Sequence, residues 1–79
     1  MSYHVLIVDD DQPHRSMLRT VLRGWGYGVE EADDGDAAVE KVRWSAPGHY
    51  DLILMDVQMP RMDGYEATRR IRALPDPQL

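Results

Sequence analysis

Val5-Leu6-Ile7-Val8-Asp9-Asp10-Asp11 decides the fold. An unbroken run of aliphatic and β-branched residues stops abruptly at acids. A strand that is apolar on both faces belongs inside a parallel sheet with helices on either side. The same signature recurs at Leu52-Ile53-Leu54-Met55, which ends at Asp56. Between them, Tyr27 to Ala32 reads as a weaker strand, and Glu30 and Glu31 within it place it at the sheet edge. Helical patterns separate the strands. One runs from about Pro13 to Arg23, with Asp11 or Gln12 as cap and Pro13 at its first position. Its core face is Leu18, Val21, Leu22 and Trp25, and Gly24 and Gly26 stop it. After the turn Asp33-Asp34-Gly35, a second helix spans about Asp36 to Trp44 with Ala38 and Val42 inward, and Pro47-Gly48 breaks it. A third opens at Gly64, turns Ala67, Ile71 and Leu74 inward, and ends at Pro75 and Pro77. The order β-α-β-α-β-α predicts an α/β fold, a doubly wound parallel sheet with right-handed crossovers. The two most apolar strands should be neighbours, which gives strand order 2-1-3.

The bulk properties exclude several classes. The chain has 79 residues, room for one small domain. Its formal net charge of -5 argues against nucleic-acid binding by this segment, which needs a basic face. With no cysteine there is no disulfide, thiolate metal site or cysteine nucleophile. No apolar run approaches the roughly 18 residues of a membrane span, and the N-terminus lacks a signal-peptide pattern. The expectation is a cytoplasmic protein with no membrane partner.

Strand order 2-1-3 puts the reversal of winding between strands 1 and 3, and ligands bind outside the carboxyl ends of strands at such a point. Asp9, Asp10 and Asp56 therefore converge on one crevice. Three close carboxylates repel, so one must hold its proton or a cation must enter. All-oxygen ligands favour Mg²⁺ or Mn²⁺. A carboxylate beside such a metal has the chemistry of a nucleophile toward phosphorus, forming an aspartyl phosphate. A strand-end aspartate is also a common turn former or helix cap, the role expected of Asp11, Asp33 and Asp34.

Three stretches carry a resemblance: Val5 to Asp11, Glu31-Ala32-Asp33-Asp34-Gly35, and Asp51-Leu52-Ile53-Leu54-Met55-Asp56-Val57-Gln58-Met59-Pro60-Arg61-Met62-Asp63-Gly64. Together they resemble the response-regulator receiver domains of two-component signalling, over essentially the whole sequence. The resemblance implies a flavodoxin-like fold and a phosphorelay role in which Asp56 is the phosphoacceptor. It implies Asp10, Asp56 and the backbone carbonyl of Gln58 as direct Mg²⁺ (or Mn²⁺) ligands, with Asp9 acting largely through metal-bound water. The Gln58 side chain stands where the family tunes phosphate lifetime, and Met59-Pro60 shapes the loop. The donor would be a phosphohistidine on a sensor histidine kinase or a histidine phosphotransfer protein. The domain would catalyse its own phosphorylation without being a turnover enzyme, and would serve an output domain that the sequence does not identify. His14 and Met17, on the face of the first helix beside the acidic pair, are candidates for kinase contact.

The family pattern continues through a fourth strand ending in Ser or Thr and a fifth ending in Lys-Pro. Residues 1–79 match the first half of it, β1-α1-β2-α2-β3-α3, and no lysine follows Lys41. A polypeptide limited to these residues would expose strand 3 as a long apolar edge. It is expected to self-associate there, swap elements or stay partly unfolded, with switching lost; a compact monomer at sedimentation equilibrium would contradict this.

Three other readings compete. Asp9-x-Asp11 after an apolar strand resembles the start of haloacid-dehalogenase-type phosphatases, with Asp9 as nucleophile and Asp11 as acid. That reading leaves Asp56 and Met59-Pro60 unexplained, and Pro13 departs from its pattern. A dinucleotide-binding turn needs glycines where Asp9-Asp10-Asp11-Gln12 stand, and these acids would repel a pyrophosphate. A truncated interaction fragment that is not phosphorylated is the third reading. His4, His14 and His49 read as scattered surface histidines, Trp25 and Trp44 as packing residues at helix ends. Arg69, Arg70 and Arg72 form a basic helix face, solvated or in contact with an output module.

Overall fold

A computed structural model describes residues 3–56 and 63–74. Its elements are β1 (His4–Val8), α1 (Gln12–Gly24), β2 (Gly28–Ala32), α2 (Gly35–Arg43), β3 (Leu52–Met55) and α3 (Gly64–Arg72). The sheet is parallel and ordered β2-β1-β3, the arrangement expected from the apolar character of strands 1 and 3.

Alternation along β1 divides the core between the two faces of the sheet. Leu6 and Val8 face α2 and α3, packing with Ala38, Val39, Val42, Ala67 and Ile71. Val5 and Ile7 face α1 and meet Leu22, with Leu18, Val29 and Leu54 at the margin. β1 is therefore buried from Val5 to Val8. β3 lies at the margin of the described sheet, paired with β1 alone among the described strands, and Leu52 is 47% exposed.

The buried face of α1 differs from the sequence expectation. Val21 and Trp25 do not belong to its buried face, being 44% and 67% exposed. Among its apolar residues only Leu22, and in part Leu18, pack against the sheet. Trp25 instead stands edge-on to Tyr27. Trp44 is likewise exposed and donates its Nε1–H to Glu40. The stop at Gly24 and Gly26 is as expected. Gly24 is the last helical residue, and Gly26 takes the left-handed turn at φ 87°. There its N–H donates to the Arg23 carbonyl and the Tyr27 N–H to the Leu22 carbonyl, a pairing that satisfies the last free carbonyls of a helix.

Two acids outside the crevice cap helices. Asp34 accepts from the Ala37 N–H at 2.7 Å, opening α2, and Asp63 accepts from Glu66 at 2.9 Å, opening α3. Asp11 holds the N-cap position of α1 without a side-chain capping bond. Gln58, Met59, Pro60, Pro75 and Pro77 lie outside the described residues.

Candidate functional site: an acidic crevice at the carboxyl end of the sheet

Strand register builds the site. Val8 pairs with Met55, so the residues that follow them, Asp9 and Asp56, leave the sheet side by side. The ladder runs one step past the strands: the Asp56 N–H donates to the Val8 carbonyl at 2.9 Å, and the Asp9 N–H to Ala32 at 3.1 Å. Parallel neighbours lie about 4.8 Å apart, so two adjacent strand ends bring their carboxylates within reach of one ion. Asp9, Asp10 and Asp56 each offer an oxygen, and these lie within 4.8 Å of one another. Asp9 is buried, Asp56 half-buried and Asp10 exposed, a gradation that leaves the cluster open to solvent on one side. A crevice of about 450 Å³ runs from Asp9, Asp11 and Asp56 down to Leu18 and Leu54, with His14 on its wall.

The described residues hold Asp9 closely. The Asp11 N–H donates to its Oδ1 at 2.9 Å, and the His14 Nδ1 meets its Oδ2. Burial pushes the Asp9 carboxyl up, but the Asp11 N–H, His14 and the nearby Arg15 charge together outweigh it and hold the group below its ordinary value. The hydrogen bond with Asp9, aided by the charges of Asp9, Asp11 and Asp56, raises His14 against the opposing effect of desolvation. Arg15 donates to the Asp9 carbonyl at 2.7 Å and to Glu31 Oε1 at 3.1 Å, and Arg19 donates to Glu31 Oε2 at 2.9 Å. These bonds tie α1 to the edge strand and fix the backbone from which Asp9 projects.

Arg15, Arg19 and the His14–Asp9 contact were not anticipated from sequence. A signal existed: Arg15 and Arg19 are four residues apart on one helix face, and a glutamate inside a strand needs a partner. Asp11 contributes its backbone N–H to Asp9, while its own carboxylate stands outside the three-aspartate cluster. The phosphatase reading, with Asp9 and Asp11 as the working pair, leaves the clustered Asp10 and Asp56 without a role.

The His14–Asp9 pair predicts a pH signature. His14 is raised in the fold, so its contribution is complete below the ordinary imidazole value near 6.5 and fades as pH rises through its folded value. Asp9 is lowered, so its contribution is present above about 3.9 and fades as pH falls through its folded value. The pair therefore stabilises most in the window between. In NMR titrations the His14 imidazole should titrate above the ordinary value, and the midpoint should fall in Asp9→Asn. An unchanged midpoint in that variant would contradict the contact.

An all-carboxylate donor set suits a hard divalent cation, because oxygen ligands carrying negative charge select Mg²⁺ over softer ions. Two solved structures that resemble the chain carry that ion. Residues 5–79 match the response regulator receiver domain. The chain is 51% identical over 72 residues to the two-component response regulator ORR41 of Oryza sativa subsp. japonica, covering 89% of this chain and 56% of that protein. It superposes at a TM-score of 0.88 and 36% identity on the receiver domain of the sensor histidine kinase PA1611 from Pseudomonas aeruginosa PAO1. That structure has a magnesium ion coordinated in the active site cleft, and the match covers 99% of this chain and 62% of that one. A TM-score of 0.81 at 33% identity relates it to the response regulator TrrA of Thermotoga maritima in complex with Mg²⁺-BeF, over 89% of this chain and 58% of that one. The chain thus spans a little over half the length of these relatives. Fold, strand order, the acidic crevice and the family match converge, and the chain belongs to the response regulator receiver domains.

Proposed function

We propose that this chain is the phosphoacceptor part of a two-component phosphorelay and that Asp56 receives the phosphoryl group. The convergence of Asp9, Asp10 and Asp56 within 4.8 Å at the ends of two paired strands carries the reading. Asp10 and Asp56, with the Gln58 carbonyl beyond the described residues, would hold Mg²⁺ or Mn²⁺ directly, and Asp9 would act through metal-bound water. The divalent ion supplies positive charge that offsets the oxygens of the transferring phosphoryl group. One Asp56 carboxylate oxygen attacks phosphorus, forming the O–P bond as the N–P bond to the kinase's phosphohistidine breaks. The electron pair of that bond stays on the imidazole nitrogen, which takes up a proton. Asp9 is fixed by Asp11, His14 and the Arg15 bond to its carbonyl, so it keeps its charge aimed at the metal position.

The partner is a sensor histidine kinase or a histidine phosphotransfer protein. His14 and Met17 are both exposed on α1, and His14 also lines the crevice, so a partner covering this face reaches the acidic site. Incubating the full protein with a small acyl phosphate tests the reading. Phosphoryl uptake should need Mg²⁺, disappear with a chelator and be labile to base. Uptake that proceeds equally well without a divalent ion would overturn it.

A further inference from the structure

At the other end of β1, roughly 15 Å from Asp9 by the rise of an extended strand, three side chains unrelated to the acidic crevice come together. We infer that His4, Glu30 and His49 form a second cation site, one that takes a borderline transition metal such as Zn²⁺ rather than Mg²⁺. One ring nitrogen each of His4 and His49 and one Glu30 carboxylate oxygen lie within 4.8 Å of one another. Glu30 Oε2 is 2.8 Å from His49 Nε2 and 4.0 Å from His4 Nε2. Tetrahedral zinc, with bonds of about 2.0–2.1 Å, wants donors about 3.3 Å apart, a value between those two distances. Two imidazoles and one carboxylate, with water in the fourth position, are an established donor set for zinc. Imidazole nitrogen disfavours magnesium.

The surroundings hold these groups in place. His4 pairs with Gly28 across the β1–β2 ladder, and a Cβ at Gly28 would meet the His4 ring at 3.2 Å. The bare glycine lets the imidazole lie over β2 and point toward Glu30. The His4 N–H donates to the Asp51 carboxylate, and the Asp51 N–H returns to the His4 carbonyl, both at 2.8 Å. That pair fastens the start of β1 to the segment carrying His49. The two imidazole rings sit 4.5 Å apart. Tyr50 is buried and donates its hydroxyl to Glu30 Oε1 at 3.0 Å, leaving Oε2 for the imidazoles. Such an outer hydrogen bond orients a ligating carboxylate. Lys41 Nζ, 3.9 Å from Oε1, opposes a cation there. His4, Glu30 and His49 are each partly exposed, which gives an ion a way in.

The test is Zn²⁺ titration of the full protein by calorimetry with excess Mg²⁺ present to occupy the acidic crevice. A zinc site should persist under that excess and in Asp10→Asn. It should be lost in His4→Gln and in His49→Gln, and Tyr50→Phe should weaken it by about tenfold. Cobalt(II) should give visible absorption of a low-coordinate site that the same histidine variants abolish. If either histidine variant folds poorly, diethylpyrocarbonate modification of the unaltered protein replaces it, with zinc expected to protect His4 and His49. Wild-type zinc affinity in both histidine variants, zinc binding that Mg²⁺ displaces, or no zinc protection of the two histidines would each overturn the inference.

Discussion

Asp56→Asn should reduce phosphoryl uptake from acyl phosphate or from a phosphorylated kinase to background, while the fold stays intact. The two effects separate because Asp56 is half-buried at a strand end, outside both core clusters. Its backbone N–H, which bonds the Val8 carbonyl, is unaffected by the change. The amide is nearly isosteric, but its oxygen is not an anionic nucleophile and its nitrogen is no metal ligand. Removing one carboxylate from a crowded cluster also relieves repulsion. Thermal denaturation of the variant without metal should therefore show equal or greater stability. Retained uptake at the wild-type level would assign the phosphoryl group elsewhere.

Leu6→Ala should have the largest effect on stability. Leu6 is fully buried at the centre of the sheet, flanked by Glu30 of β2 and Ile53 of β3 in the register, and packed in the cluster that joins α2 and α3. Truncating a buried leucine removes its transfer energy and leaves a cavity, together about 3 kcal/mol. A small domain would melt roughly 10 °C or more lower. The acidic site should weaken with it, since β1 and β3 must pair for Asp9 and Asp56 to meet. Trp44→Ala, at an exposed helix end, is the contrast and should cost about 0.5 kcal/mol or less. Equal effects of the two substitutions in chemical denaturation would mean that the core is misassigned.

What the sequence revealed and what it hid follow from the range of the interactions. Val5 to Val8 is apolar at every position, a pattern that one environment explains, the middle of a parallel sheet; strand order and the meeting of Asp9 with Asp56 follow from it. The Asp34 cap was legible because its carboxylate bonds to the N–H three residues on; Asp63 makes the same bond but was not singled out from sequence. The face of α1 was less so. Helical spacing selects Val21 and Trp25 as readily as Leu22, and only the placement of the helix against β1 and β2 decides which side is covered.

The polar networks were the least legible. Glu30 and Glu31 mark an edge strand in sequence, yet alternation sends them to opposite sides of the sheet. Glu31 reaches Arg15 and Arg19 of α1, while Glu30 reaches His49 and Tyr50. Each pairing spans at least 12 residues, beyond the reach of local spacing rules. His4 and His49 look unrelated for the same reason: they meet only because β1 and β3 are neighbours.

The proposed chemistry turns on which residue carries the phosphoryl group. Borohydride reduces an acyl phosphate to the alcohol with release of phosphate, so an aspartyl phosphate leaves homoserine at its position. The full protein should be phosphorylated with acyl phosphate and Mg²⁺, reduced, digested and sequenced by mass spectrometry. Homoserine is expected at position 56, with Asp9, Asp10 and Asp11 unchanged. Homoserine at any of those three positions, or phosphate retained on a histidine or hydroxyl residue with Asp56 intact, would contradict it.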